Sequence, residues 1–402
     1  MDNPLLCIFC DNALGPDTKP EHILPNALGG RKTTRRVICS DCNNRFGSTI
    51  DDALAKQVEI IRNLLQLESG TGKPPPMLRN VQAGTEKVTF RNDGQPELVT
   101  PPFTVTERPD GTAEVAITVK TPEELRRFLP HIAARLRMSE DELVKQMEGG
   151  TGVVVERRPG EVHHHISFGK EDAIRSVAKS CLVLLATLVG NDAVKSDAFK
   201  EARTFVLTGS KEFNEKRVTI DSRPVPGVDD LIRVYGMFFN LIYVRSDSAG
   251  RVIGHFTLYN AISWQIVLAE AGGPAECKSG LVSNPLDPTS WSDAIADTVN
   301  IPFAWLDAAD KGYELERARQ RLISMAQYHH DESQQAEIAR IVNDVCAKYG
   351  IKSDNDPIDP AHQEAIFNEI TARLAAHAMH QPYEQRLTAD QMKKLLKGES
   401  SE

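Results

Sequence analysis

The sequence predicts an α+β protein in which a small, metal-stapled N-terminal module precedes a larger α+β region with an antiparallel sheet and a helical C-terminal part. Three observations lead to this prediction. Two Cys-x-x-Cys pairs lie within the first fifty residues, and short β-patterned runs separated by turns fill the middle of the chain. Apolar residues recur at three- and four-residue steps in the last hundred residues. With 402 residues, the chain is long enough for two or three domains.

Four cysteines of the N-terminal module have the spacing of a structural zinc site. They form two pairs, Cys7 with Cys10 and Cys39 with Cys42. Two such knuckles can place four thiolate sulfurs tetrahedrally around Zn²⁺, which is the usual closed structural site. We therefore predict that these cysteines bind one structural zinc ion.

Residues suited to metal-assisted hydrolysis accompany the knuckles. Glu21 and His22 lie between the two pairs, and Asn43 follows the last cysteine. Because a histidine titrates close to neutrality, His22 can take a proton from water. The oxygens of Glu21 and Asn43 are hard ligands that suit Mg²⁺ or Mn²⁺ better than zinc. The neighbouring Asn44 competes with Asn43 for this role.

The stretch from Cys7 to Phe46 resembles the HNH endonuclease family, in its ββα-metal form with two Cys-x-x-Cys knuckles. The features that carry the resemblance are both knuckles, Glu21-His22, Pro25, Gly29-Gly30 and Asn43. The resemblance implies that His22 is the general base and that Glu21 and Asn43 bind the catalytic Mg²⁺ or Mn²⁺. It also implies that Glu21-His22 ends a short strand, that the chain turns at Gly29-Gly30, and that Asn43 lies on the following helix.

Two positions depart from the family pattern. The middle asparagine is absent, and Thr34 stands near its place. The last position of the motif is Asn43 instead of histidine, a substitution that the family tolerates. The resemblance still favours an intact catalyst over a decayed one.

The charge of the chain restricts where nucleic acid can bind. The formal net charge is −9, so the whole molecule is not a polycation that coats nucleic acid. Between Lys19 and Arg45, however, six basic side chains stand against two acidic ones, a net charge of +4 that suits phosphate contacts. The residues that we expect to bind nucleic acid are Arg31, Lys32, Arg35, Arg36 and Arg45.

The elements after the knuckles can be predicted from periodicity. One amphipathic helix is expected to run from Asn43 through Leu65 and to pack on the next domain, and residues 68–76 should form a linker. A buried central helix is predicted from Ala173 to Val189. Strands are predicted for residues 232–244, 252–259 and 263–268, as an antiparallel meander.

Two histidine clusters invite a metal-site interpretation that we do not favour. His163, His164 and His165 are consecutive, and neighbours in a strand point to opposite faces, so a polar strand face is the better prediction. Residues 329–332 mix possible ligands, but we expect a solvated turn at a helix junction there.

Cysteine usage and hydropathy predict the compartment. Cys181, Cys277 and Cys346 are scattered singly, which favours reduced thiols. The N-terminus lacks the pattern of a signal peptide, and no apolar run is long enough to span a bilayer. We therefore expect a soluble, cytoplasmic protein without a membrane partner.

The predicted function is that of a metal-dependent endonuclease that hydrolyses phosphodiester bonds of nucleic acid, with DNA as the favoured substrate. We expect a nuclease module at residues 1–70, an α+β domain at 77–300 and a helical region at 301–402. The large remainder is expected to recognise particular DNA, to sense a small-molecule activator or to form a homo-oligomer. This layout is similar to that of bacterial antiviral defence effectors in which an HNH nuclease is fused to a sensor.

Two alternatives remain open at this point. The first is a non-catalytic, zinc-stabilised regulatory protein that binds nucleic acid and tolerates the loss of His22. The second is a toxin that uses the same groups on RNA. Because both alternatives keep the cysteines and the basic residues, the sequence does not separate them from a DNA endonuclease.

Overall fold

The computed structural model describes residues 4–99, 101, 103–119, 122–149, 152–156, 162, 166, 168–308, 315–353 and 355–397. The chain forms two compact units. The first unit comprises Met1–Leu78, Phe90–Gln95 and His164–His329, and the second comprises Arg79–Thr89, Pro96–His163 and His330–Glu402. The proposed domain division at residues 70, 77 and 300 stays a prediction about independently folding parts.

The strands are numbered in chain order. They are β1 (Glu21–His22), β2 (Thr33–Thr34), β3 (Leu78–Ala83), β4 (Glu86–Phe90), β5 (Pro96–Leu98), β6 (Phe103–Glu107), β7 (Ala113–Ile117), β8 (Gly152–Glu156), β9 (Val218–Asp221), β10 (Asn240–Ser246), β11 (Val252–Leu258), β12 (Ile262–Ala269), β13 (Lys278–Ser283), β14 (Trp291–Ser292) and β15 (Tyr383–Leu387).

The helices are numbered in the same way. They are α1 (Ser40–Ser48), α2 (Ile50–Gln57), α3 (Glu59–Leu64), α4 (Pro122–Leu136), α5 (Glu140–Gly149), α6 (Glu171–Val189), α7 (Asn191–Lys195), α8 (Lys200–Thr208), α9 (Lys211–Arg217), α10 (Val228–Tyr235), α11 (Ile295–Thr298), α12 (Phe303–Leu306), α13 (Leu315–Lys348), α14 (Gln363–Ala378) and α15 (Ala389–Lys397). Two short 3₁₀ helices cover Asn26–Leu28 and Asp197–Phe199.

The N-terminal module has the predicted ββα order. Strands β1 and β2 pair antiparallel, with Glu21 opposite Thr34. The connection turns at Gly29, whose φ of 84° lies in the left-handed region that favours glycine. Helix α1 follows, and the Cys39 side chain caps it by accepting a hydrogen bond from the Cys42 N–H. The expected strand, turn and helix are therefore confirmed.

We expected a single helix after the knuckles, but the structure has three helices in its place. Helix α1 ends at Ser48 and is followed by its C-terminal cap Thr49, whose φ and ψ are −123° and −87°. Helix α2 ends at Gln57, with Val58 as its cap. Just before the first break, the hydroxyls of Ser48 and Thr49 donate to the Arg45 carbonyl oxygen, at 3.2 and 2.7 Å. Such side-chain bonds to the backbone compete with helix propagation. The predicted apolar stripe is nevertheless buried throughout.

A six-stranded antiparallel sheet forms the core of the first unit. Its strand order is β14-β13-β10-β11-β12-β9, and every neighbouring pair runs antiparallel. Helix α6 packs on this sheet and also on α2, and its residues from Ala173 to Ala186 are buried except Arg175. The predicted meander and the predicted buried central helix are both confirmed.

One predicted strand starts too early. Residues 228–235 form helix α10, and the strand begins only at Asn240. Asp229 and Asp230 in the first turn and Arg233 in the last turn have the charges that the helix dipole favours at those ends. Gly236, at a φ of 77°, then ends the helix.

The second unit combines small sheets with helices. Strands β3, β4 and β5 form one sheet, and the pairs β6–β7 and β8–β15 form two others. A separate apolar core joins α4, α5 and α15 through Leu129, Ile132, Leu143 and Leu396. Helices α13 and α14 confirm the helical character of the C-terminal part, although β15 interrupts it.

Two predictions about histidine clusters have different outcomes. Residues 329–332 lie within α13, so the turn that we expected there is wrong. Residues 163–165 lie outside the described residues. Within the described ranges, no helix is long and apolar enough to cross a membrane.

Candidate active site

The four cysteines of the N-terminal module lie together. Their sulfur atoms are all within 4.8 Å of one another. Backbone N–H groups point at two of them, because Phe9 donates to Cys7 Sγ and Cys42 donates to Cys39 Sγ, each at 3.5 Å. The knuckle geometry that the spacing predicts is therefore present.

The sulfur arrangement fits a zinc ion. Zn–S bonds of about 2.3 Å in a tetrahedron place the sulfurs about 3.8 Å apart, and Cys10 Sγ and Cys39 Sγ are 3.4 Å apart. Within the part of the chain that the structure describes, this is the one group of three or more His, Cys, Asp or Glu side chains whose ligand atoms lie so close together. These cysteines could hold a structural zinc.

The same module contains a cleft of about 500 Å³, which is lined by Asn43 next to Cys42 but by none of the four cysteines. Its walls come from β1, the first 3₁₀ helix, α1, α2, α3 and the loop of residues 66–77. Glu21, His22 and Asn43 all line it. The fold thus brings the predicted base and both predicted metal ligands to one cavity.

A buried lysine contacts the predicted ligand Glu21. Lys179 of α6 is completely buried, and its Nζ lies 2.6 Å from Glu21 Oε1 and 2.6 Å from Asp51 Oδ2. Ser176, one turn earlier on the same helix face, donates to Asp51 Oδ1 at 2.5 Å. We call Glu21, Asp51, Ser176 and Lys179 the buried charge network.

This network sets one ammonium against two carboxyl groups. Burial alone would lower the pKa of Lys179, but Asp51 and Glu21 together raise it above its ordinary value. Burial raises the pKa of the Glu21 carboxyl, and the nearby ammonium only partly opposes that effect. Since one ammonium faces two carboxylates, the ionised network keeps a net charge of −1 that suits a bound cation.

The imidazole of His22 is half-buried at the end of β1. Burial lowers its pKa, and the positive charge of Lys179 lowers it further. Within the described residues, no hydrogen bond engages the ring, so its nitrogens are available to a water molecule. A neutral, accessible imidazole is the form that can accept a proton.

The structure distinguishes the two adjacent asparagines. Asn43 donates from its amide nitrogen to the Pro20 carbonyl oxygen at 3.0 Å, which fixes the amide beside β1 in the cleft. Asn44 is exposed, does not line the cleft, and accepts a hydrogen bond from Lys19 at 3.1 Å. The geometry therefore favours Asn43 as the ligand.

These residues lie in a segment with a recognisable family signature. Residues 7–59 match the family model described as HNH endonuclease. The match confirms the resemblance that the motifs indicated, and we call residues 7–59 the HNH segment. No curated protein and no solved structure matches the chain.

The donor set of the HNH segment suits a hard divalent cation. Glu21 Oε2 and Asn43 Oδ1 accept no hydrogen bond from any described residue. One or two protein oxygen donors are common for Mg²⁺, which keeps several waters and binds substrate phosphate oxygens. Glu21 and Asn43 could therefore hold the catalytic ion, with Asp51 close to Glu21.

The five basic residues proposed to bind nucleic acid do not line the cleft. Arg31 donates to the Gly70 carbonyl oxygen at 2.7 Å, and Arg35 donates to that of Thr18 at 2.8 Å. Lys32 pairs with Asp293 at 2.5 Å, whereas Arg36 and Arg45 are exposed. Arg31 and Arg35 thus stabilise the backbone of the module through hydrogen bonds. Phosphate binding by the five basic residues stays a prediction.

The cleft instead contains charged residues that sequence reasoning missed. The acidic ones besides Glu21 are Asp51, Asp52 and Glu59, and the basic ones are Lys56, Arg62 and Lys73. Asp51 and Asp52 directly follow the knuckle helix, so the motif could have been extended to them. Lys179 interrupts the apolar run of α6, and this interruption was the one sequence signal that could have pointed to a buried charged residue.

Proposed function

We propose that this chain is a metal-dependent endonuclease that hydrolyses phosphodiester bonds of DNA in the cleft of the HNH segment. The observation that carries the proposal is that Glu21, His22 and Asn43 line one cavity in the module that also holds the cluster of four cysteines. A binding module needs no half-buried histidine beside hard oxygen donors, whereas phosphodiester hydrolysis needs both.

Each residue has a definite task in this reaction. His22 takes a proton from the attacking water at a ring nitrogen, and burial keeps the imidazole neutral for that purpose. Glu21 and Asn43 hold a Mg²⁺ or Mn²⁺ ion, which supplies positive charge for the phosphate and the leaving oxygen. Lys179 and Pro20 fix the orientation of Glu21 and Asn43, respectively, through the bonds described above.

The rest of the chain supports a regulated enzyme. The HNH segment accounts for residues 7–59 of 402, so most of the chain is available for target recognition or for sensing a small-molecule activator. One HNH site cuts one strand, and a homo-oligomer would supply the second site for duplex cleavage. We include in the proposal a cytoplasmic role in antiviral defence.

The test is relaxation of supercoiled plasmid by the full chain and by its His22→Ala variant. We expect cutting by the native chain with Mg²⁺ or Mn²⁺ and loss of at least about two orders of magnitude in rate in the variant. His131→Ala is the matched control, because His131 is an exposed histidine on α4. Zinc content should be the same in all three proteins.

The divalent ion and the zinc can be separated in the same assay. Mild chelation should stop cutting while the zinc stays on the cysteines, and added Mg²⁺ or Mn²⁺ should restore it. Equal cutting by native protein and the His22→Ala variant would show that another residue is the base. A third outcome is a native chain that is folded and still cuts neither DNA nor RNA, even after addition of a cellular extract that contains nucleotide activators. That result would support a non-catalytic binding protein.

A further inference from the structure

One arginine of the cleft is buried without a protein partner. Arg62 of α3 lines the cleft and is only 6% exposed. Its Nε atom is buried and has no hydrogen-bond partner. Across the described residues, no carboxylate lies within ion-pair distance of its guanidinium, and no carbonyl accepts from it.

Burial makes the lack of a partner costly for this side chain. A guanidinium stays charged in proteins, and a buried charge normally has a counter-ion and satisfied donors. Burial lowers the pKa of Arg62, and Tyr259 and Glu59 oppose that effect only through longer-range attraction. An anion that enters the cleft would give the guanidinium the acceptors that the protein does not supply.

The other charges of the cleft leave a place for such an anion. Lys179 pairs with Glu21 and Asp51, and Lys56 pairs with Asp52 at 2.8 Å. Asp52 is therefore compensated within the protein, and the negative charge that Lys179 leaves on Glu21 and Asp51 is the charge that we assign to the bound cation. Lys73, on the loop after α3, lines the same cleft, and its exposed side chain forms no ion pair with a described residue. Apart from these groups, the cleft contains two cationic side chains, Arg62 and Lys73, and one acidic side chain, Glu59.

We infer that Arg62, with Lys73 in the wall of the same cleft, binds a backbone phosphate of the nucleic acid that the HNH segment cuts. The ligand class is a phosphodiester, which offers two oxygens to the guanidinium fork. Arg62 lies beyond residues 7–59, so this contact is a property of the chain outside the family match. The inference rests on the proposed function, because it assigns a role at the same cleft.

The experiment measures binding apart from cutting. Anisotropy of a fluorescent DNA duplex is followed with the full chain in Ca²⁺, at several salt concentrations, for the native protein and Arg62→Met. Arg233→Met is the matched control, since Arg233 is an exposed arginine of α10 that pairs with Asp230 and does not line the cleft. Thermal unfolding and zinc content are measured for each variant.

The expected result has two parts. Arg62→Met should bind DNA at least about tenfold more weakly, and the slope of log K against log salt should fall by about one, as for the loss of one phosphate contact. Its thermal stability should equal or exceed that of the native chain, because an unpaired buried charge is replaced by an apolar side chain. Arg233→Met should match the native protein in each measurement.

Other results would overturn the inference. If Arg62→Met binds DNA with unchanged affinity and unchanged salt slope, Arg62 does not contact a phosphate. A variant that fails to fold, or unfolds at clearly lower temperature, would show that the guanidinium has structural partners after all. Failure of the proposed function is separable: a native chain that binds DNA but never cuts it contradicts catalysis alone, whereas a chain that binds no nucleic acid contradicts both.

Discussion

Lys179 is the residue that most changes the interpretation of the site. It is a lysine without exposure, held by two carboxylates from the N-terminal module. Removal of one partner from a buried ion network leaves the remaining charges without compensation, which costs far more than the network itself contributes. Glu21 and Asp51 therefore depend on this ammonium for their stability in the folded chain.

We expect Lys179→Met to destabilise the protein by about 3–5 kcal/mol, because the buried Glu21 and the partly buried Asp51 lose their counter-charge. Lys56→Met is the matched control: it also breaks a lysine–aspartate pair on α2, but the Lys56 and Asp52 side chains are 68% and 46% exposed. That change should cost less than about 1 kcal/mol. Denaturant unfolding of the two variants measures both losses of free energy of unfolding. A loss for Lys179→Met that is as small as the loss for Lys56→Met would contradict a charged network.

The contrast between His22 and Lys179 explains how much of the site the sequence could predict. The predicted site residues from Cys7 to Asn43 lie within a short stretch, and the structure brings the four cysteines to one cluster and the other three residues to one cleft. Lys179 lies 158 residues from Glu21. A long-range pair of this kind leaves no periodic signal, and a lysine in an apolar run is compatible with several environments.

At the level of elements, the loop of residues 66–77 is part of the site. The sequence predicted an irregular linker at residues 68–76, and residues 66–77 contain no helix or strand. It is not a free connection, however. Gly70 donates to the Asn26 carbonyl oxygen at 2.7 Å, and its own carbonyl accepts from Arg31 at 2.7 Å. The loop is thereby fixed against the turn that follows β1.

The closeness of this contact gives a prediction for Gly70→Ala. A Cβ at Gly70 would lie 1.7 Å from the Gly30 carbonyl oxygen, so backbone must move. We expect a loss of about 1–3 kcal/mol of stability and a lower cutting rate, because the loop carries part of the cleft wall. Gly15→Ala is the control, since a Cβ there meets nothing within 4 Å.

Thermal unfolding and plasmid relaxation of both glycine variants provide the measurement. Native-like stability and cutting in Gly70→Ala would mean that the loop does not dock as described. A loss of cutting with unchanged stability would place the effect in the cleft wall alone.

The elements themselves were predictable where side-chain periodicity is strong. Glu21-His22, the turn at Gly29 and the sheet strands β11 and β12 were located correctly. The break at Thr49 was not, because the apolar stripe continues across it while side-chain bonds to the backbone interrupt the helix. Residues 232–235 were assigned to the following strand because apolar and aromatic residues continue from α10 into β10. The apolar residues of α10 nevertheless recur at helical steps, at positions 228, 231, 232 and 235.

On the scale of the whole molecule, the HNH segment is built into the first unit. The buried faces of α2 and α6 pack together, and the buried Asn191 amide donates to the carbonyl oxygens of Leu6 and Arg36, at 2.7 and 2.8 Å. Arg203 donates to the Ile8 carbonyl oxygen at 3.3 Å, beside the first knuckle. Residues 171–208 therefore support the zinc site as well as the cleft.

This arrangement predicts that a fragment of residues 1–78 binds zinc but does not cut DNA. The fragment keeps all four cysteines, yet Ile50, Leu54 and Val58, which are fully buried in the chain, would lose the apolar surface of α6. Each such side chain contributes roughly 1.5–3 kcal/mol when buried. Glu21 would also lose Lys179, so the cleft would not form. Zinc titration, circular dichroism and plasmid relaxation of the fragment beside the full chain check this expectation. A fragment that is folded and cuts at the full-chain rate would show instead that residues 1–70 are the independent nuclease domain that the sequence alone suggested.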